Sequence, residues 1–167
     1  MPVRRLVVAS LIVVGGFASA VSAQTPLAVG AASGDLTVNG QTVAMKYSYS
    51  YMQTPKDGGK SDLVLLVSDQ PVPASSVRDE DALVALSRDG KFSGVRVIVG
   101  PGGKDKSGMP FHKSLKVIVS TGLFVHSDIT DYDGKTVAGE IESGKAELAK
   151  QTWEYDVKFN AVVLPLK

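Results

Sequence analysis

Between Trp153 and Val163 apolar side chains recur at every second residue. Trp153, Tyr155, Val157, Phe159, Ala161 and Val163 alternate with Glu154, Asp156, Lys158 and Asn160. A helix turns about 100° per residue and would scatter this set around its circumference. An extended strand puts all of it on one side and the charges on the other. Such a strand has one wet face and one that must be covered, and this requirement governs the rest of the chain.

The same period runs through most of the sequence from Gly34 onward. Val43, Met45, Tyr47, Tyr49 and Tyr51 form a second stripe, opposed by Thr42, Ala44, Lys46, Ser48 and Ser50. Further strands are expected at 35–38, 63–68, 91–99, 111–119, 123–129 and 136–142, with a short one at 146–149. Leu63 to Val67 is apolar without alternation, which predicts a strand covered on both faces. Asn39-Gly40, Asp57-Gly58, Asp89-Gly90 and Asp133-Gly134 punctuate these runs. Such pairs supply the positive φ angles of tight hairpin turns. A Lys follows several of these turns, as expected of charged residues that blunt exposed strand ends.

One segment departs from the pattern. Asp79 to Arg88 (77–88 with its entry residues) reads as a short helix, with acids in its first turn and Arg88 in its last. These charges complement the helix dipole, Ser76 is the expected cap, and Gly90 closes the far end. The expected fold is therefore all-β. About eight to ten antiparallel strands form an up-and-down barrel, towards which a simple meander leans, or a two-sheet sandwich.

Met1–Ala23 has the form of a secretory signal: Arg4-Arg5, an apolar run from Leu6 to Phe17, and Val21-Ser22-Ala23 before the expected cut. The run is too short for a membrane span, which needs about 20 apolar residues. Residues 24–33 read as a flexible lead-in and 34–167 as a single β domain, exported to the periplasm or secreted. Cleavage removes two of eighteen basic residues and none of the seventeen acidic ones, leaving a net charge of −1. That balance disfavours nucleic acid as a partner, because its phosphates demand clustered Lys and Arg. No amphipathic basic helix favours stable membrane insertion either. The absence of Cys excludes thiol catalysis and disulfides.

Motifs that could carry chemistry fail on spacing. Gly100–Gly108 is glycine-rich, but Ile98 and Asp105 stand where a phosphate loop needs Gly and Ser or Thr. It reads as a mobile loop. Asp131, Asp133, Gly134 and Glu140 match four positions of a calcium-binding EF-hand loop, yet Ile129 occupies the first ligand position and strands flank the loop. The acids of this 128–140 stretch read as solvated turn residues. Met109 and His112 together raise copper capture, since thioether and imidazole both suit that metal; otherwise His112 is a strand-surface residue. With Thr121-Gly122 as a hairpin tip, His126 falls opposite Val117 and His112 opposite Asp131. The two imidazoles then stand about 17 Å apart at strand rise, too far to share a metal. No Ser completes a catalytic triad, and the strand-face acids Glu140, Glu142, Glu154 and Asp156 read as solvated. The residues lean away from an enzyme without deciding the matter, and no cofactor is expected.

The aromatics are the remaining signal. A buried Tyr hydroxyl needs a partner, so three tyrosines on one face suit a wall that is apolar below and polar above. Tyr47, Tyr49, Tyr51, Trp153 and Tyr155 are thus the candidate ligand-binding residues, for a small apolar molecule or a sugar. The alternative is a cell-envelope structural or protein-interaction module, in which these rings are core and the partner is another protein.

Overall fold

The structure, a computed structural model, describes residues 26–55, 58–122 and 124–165. The expected signal peptide lies outside these residues, as does Asp57 of the second turn. The fold is all-β, with eight strands in one sheet and a single short helix among the described residues. The strands are β1 (Ala31–Val38), β2 (Gln41–Gln53), β3 (Asp62–Ser68), β4 (Gly94–Gly100), β5 (Lys104–Phe111), β6 (His126–Tyr132), β7 (Thr136–Leu148) and β8 (Gln151–Leu164). The helix α1 (Glu80–Arg88) lies between β3 and β4.

Two meanders, β1 to β5 and β6 to β8, join where β1 pairs with β8, giving the order β5-β4-β3-β2-β1-β8-β7-β6. Neighbours pair antiparallel, and beyond the start of β1 the ends of β2 and β8 also pair in parallel, Tyr49 to Tyr51 against Val162 to Leu164. The sheet coils until its edge strands β5 and β6 approach each other, yet they share no ladder. The fold is sandwich-like, and the leaning towards a closed barrel is corrected. The reason lies after Phe111, in the described residues 112–122 and 124–125. The strand expected at 111–119 does not form, and β5 instead occupies most of what reads as a mobile glycine loop. Pairing with β4 runs through Pro110 to Phe111, and the chain then crosses the gap irregularly, touching β5 by one bridge between Gly108 and Thr121. Gln151 holds this crossing, its Oε1 accepting from the amides of Lys116 and Val117.

Two apolar clusters flank the sheet. The inner one fills the coil with Leu36, Val38, Leu65, Val97, Ile141, Tyr155 and Phe159, all buried. The outer one lies beneath α1 and joins Val64, Leu66, Leu83, Phe92 and Phe111. Leu65 and Val67 face inward while Val64 and Leu66 face the helix, so β3 is covered on both sides as its unbroken apolar run requires. In β8 Trp153, Tyr155, Val157, Phe159 and Ala161 are buried, and Glu154, Asp156 and Lys158 are exposed.

Local turn chemistry sets the register. Asn39 and Gly40 have φ values of 48° and 78°, the pair of positive angles that a two-residue hairpin needs. The cap of α1 is Asp79 rather than Ser76: its carboxylate accepts from the Ala82 amide at 3.0 Å. Ser76 is engaged in the preceding turn, its amide donating to the Pro73 carbonyl and its own carbonyl accepting from Asp79. Strand β1 begins at Ala31, inside the expected lead-in, and is bulged between Ala31 and Gly34. Gly34 is required there, because a Cβ would lie 2.0 Å from the Asp156 carbonyl oxygen. The strands expected at 136–142 and 146–149 are one strand, β7, with an irregularity between Ser143 and Ala146.

Candidate functional site

The five candidate aromatics do not share a surface. Met45 faces the inner cluster, but the stripe does not continue into it: opposite the bulge in β1 the coiled strand turns its other face inward. Ser48 and Ser50 pair with Val67 and Leu65, and Tyr49 and Tyr51 with Leu66 and Val64 beneath the helix. The Ser48 hydroxyl donates to the Ala31 carbonyl and that of Ser50 to the Val162 carbonyl. The Tyr49 hydroxyl accepts from the Val72 amide at 3.0 Å, so it ties the 69–79 connection to the sheet. Tyr51 lies under the Arg78 guanidinium, 4.9 Å from its ring centroid, and its hydroxyl accepts from Arg96 at 3.4 Å. Arg96 also donates to Gln53 and to Glu80 of α1, satisfying a guanidinium that is almost wholly buried. Tyr47 is half-buried.

Trp153 and Tyr155 belong to the inner cluster on the other side of the sheet. Trp153 packs edge-to-face on Phe124 with ring centroids 6.2 Å apart. The Tyr155 hydroxyl is buried without a hydrogen-bond partner and lies against Gly108, where a Cβ would come within 2.7 Å of it. Burial, reinforced by the Asp105 charge, pushes the phenol well above its ordinary value. These rings are packing elements.

The seam between β5 and β6 brings a serine, a histidine and an aspartate together. Ser127 Oγ donates to the Asp105 carboxylate, and His126 Nδ1 stands 3.5 Å from the same carboxylate. A nucleophilic serine must present its proton to imidazole, and here it is committed to Asp105. His126 registers with Glu142 of β7, and His112 is buried with Nδ1 bonded to Ser114 Oγ, so neither lies where the assumed 121–122 hairpin puts it. The reading of His112 as a surface residue is corrected. Burial, then the charge of Lys113, lower its pKa, opposed by Asp69.

The acids behave differently on the two sides of the 133–134 turn. Asp133 accepts from the amides of Lys135 and Thr136 and from the Thr136 hydroxyl, bonds that lower its pKa. On the outer sheet face Asp35, Asp156, Glu142 and His126 stand in one cross-strand row, beside a second row of Lys158, Glu140 and Asp128. A hydrogen bond with Asp156, then partial burial and the Asp156 charge, raise the pKa of Glu140. Among the described residues no three His, Asp or Glu side chains are placed to hold a metal ion. Met109 packs beneath the helix.

The feature best suited to hold a ligand lies at one end of the coiled sheet. Met52 of β2 meets Tyr132 of β6, the phenol hydroxyl donating to the thioether sulfur at 3.9 Å. A depression of about 220 Å3 opens on one side of this contact, walled by Leu63, Val99, Ile129 and the Pro101 turn. A second, of about 400 Å3, opens on the other side over Val162, Val163, Leu164 and Pro165. Tyr132 is 51% exposed and Val162 42%, which makes this trough an uncovered apolar surface. Another depression of similar size, about 410 Å3, lies on the outer face beside Pro26 and Leu27, but its walls include Glu140, Lys158 and Asn160. The Asn160 amide there already holds the Leu27 carbonyl.

The chain matches no known family model, and no curated protein or solved structure is significantly similar to it. The trough residues escape a reading by strand period because they come from five different strands. Tyr132 is the one visible signal, an aromatic set between Asp131 and Asp133 in an otherwise polar turn.

Proposed function

We propose that the chain is an exported, non-catalytic binding module that takes a small, largely apolar molecule in the trough divided by Met52 and Tyr132. The observation that carries this reading is the exposure of Tyr132 and Val162 on walls built from aliphatic side chains. Ligand sites are concave, mostly apolar and largely preformed, with volumes of about 300–1,000 Å3, and the larger half of the trough falls in that range. A sugar fits these walls less well, because its hydroxyls would meet few polar partners. The original aromatic face is an unsuitable host, since Tyr51, Trp153 and Tyr155 are consumed in packing.

Calorimetric titration with dodecanol tests the proposal. Saturable binding is expected, weakened about tenfold, roughly 1.4 kcal/mol, by Tyr132→Ala or Met52→Ala. Tyr47→Ala, away from the trough, leaves the affinity unchanged. Loss of binding in Tyr47→Ala alone would return the site to the tyrosine stripe. A second reading, a protein-interaction module of the cell envelope, is favoured by the filled interior. Absence of any dodecanol binding by the intact protein would support it instead.

A further inference from the structure

Resting on that reading, we infer that the ligand of the trough is a single-chain amphiphile with one anionic group, whose chain crosses the Met52–Tyr132 contact and whose anion meets Lys135. Among the described residues, Lys135 is the only charged side chain walling either half of the trough. It stands at the rim of the larger half, opposite Val162 and Pro165, and is exposed. Its backbone is fixed on two sides: the carbonyl accepts from the Val163 amide at 2.7 Å, and the amide donates to Asp133. The ammonium is therefore carried on a braced turn at the mouth of an apolar channel, an arrangement that pairs a chain with a head of opposite charge.

Among the described residues no carboxylate forms an ion pair with the Lys135 ammonium. The Asp133 carboxylate is turned back onto the turn, where it accepts from Lys135 N, Thr136 N and Thr136 Oγ1. Asp131 registers with Ala138, a residue that walls the outer-face depression. A neutral apolar ligand would use the aliphatic walls and leave Lys135 unused. A cationic one would place like charges together at the mouth. An anion there gains an exposed ion pair with Lys135 while its chain displaces water from Val162, Leu164 and Met52.

Parallel titrations with dodecanoate, dodecanol and dodecyltrimethylammonium at neutral pH and low salt separate the outcomes. The intact protein is expected to prefer dodecanoate over dodecanol roughly two- to fivefold, the scale of an exposed ion pair, with the cationic probe weakest. Added salt should shrink that preference by screening. Lys135→Met keeps an apolar stem and removes the charge; it should equalise dodecanoate and dodecanol while dodecanol binding persists. Lys135→Arg should restore the preference. Equal affinities in the intact protein, or a preference that survives Lys135→Met, would overturn the inference and leave the apolar reading standing. Failure of all three probes to bind would overturn the apolar reading itself.

Discussion

Strands β3 and β4 and strands β7 and β8 belong to one sheet but solve burial in different ways. The first pair is buried on both faces, with the inner cluster on one side and α1 with its flanking connections on the other. The second pair is apolar only inward, and its outward face carries Glu140, Glu142, Glu154 and Asp156. The comparison teaches that α1 is needed where β3 and the nearby β5 would otherwise expose Val64, Leu66 and Phe111. Where charges alternate with apolar residues, no second layer is needed. The trough lies at the end where strands of the two regions meet, and it touches the helix layer at Leu164, which packs against the outer cluster and whose carbonyl accepts from Arg78.

The comparison can be tested by removing equivalent pieces from each region. Phe159→Ala in β8 should cost about 3–5 kcal/mol and Leu66→Ala in β3 about 2–5 kcal/mol, the range for large buried apolar side chains. Urea denaturation measures both. If the helix layer were a loose cover, Leu66→Ala would cost far less than Phe159→Ala, and the claim of two equally real cores would fall.

A smaller effect probes how the helix is fastened. Arg96→Met keeps most of the buried stem but removes the bonds to Glu80, Tyr51 and Gln53. It should cost about 1.5–3 kcal/mol, as for hydrogen bonds to a charged group. Hydrogen exchange should show α1 opening more readily than β8 in this variant. Equal loss of protection in both elements would mean that Arg96 supports the whole sheet rather than the helix layer.

The smallest effect belongs to the wet face. Like charges directly across a sheet oppose folding, and Glu140→Gln should stabilise the protein by about 0.2–1 kcal/mol at neutral pH. Glu140 keeps its proton when folded at a pH where the unfolded side chain has lost it. Its contribution is therefore fully present below the unfolded value and is lost as pH rises through the raised folded value. Asp133 has the opposite sign, because its pKa is lowered: its contribution is present above the unfolded value and disappears as pH falls through the folded one. Melting temperatures from acid to neutral pH should show the Glu140 component vanish in Glu140→Gln and the Asp133 component vanish in Asp133→Asn. An unchanged profile in Glu140→Gln would remove the acid row as a source of strain.

Much of this was legible in the residues. The alternation in β8, the two-sided burial of β3, the turn at Asn39-Gly40 and the helix with its acidic first turn are local patterns, each set by neighbours in sequence. The candidate site was not legible in the same way. The stripe from Val43 to Tyr51 reads as one face because period two assumes a straight strand, while β2 crosses from its pairing with β1 to its pairing with β3. Only Tyr132, an aromatic in an acidic turn, hinted at the trough.

By itself the sequence determined that side chains are sorted to the two faces of extended strands, and where those strands turn, because sterics and hydration act between residues close in the chain. Tertiary structure alone decided that the sheet coils without closing, that Tyr51 and Tyr155 lie in separate cores, and that Met52, Tyr132, Lys135 and Val162 meet. Those outcomes depend on long-range pairing and on the accumulated twist of eight strands, which no local spacing records.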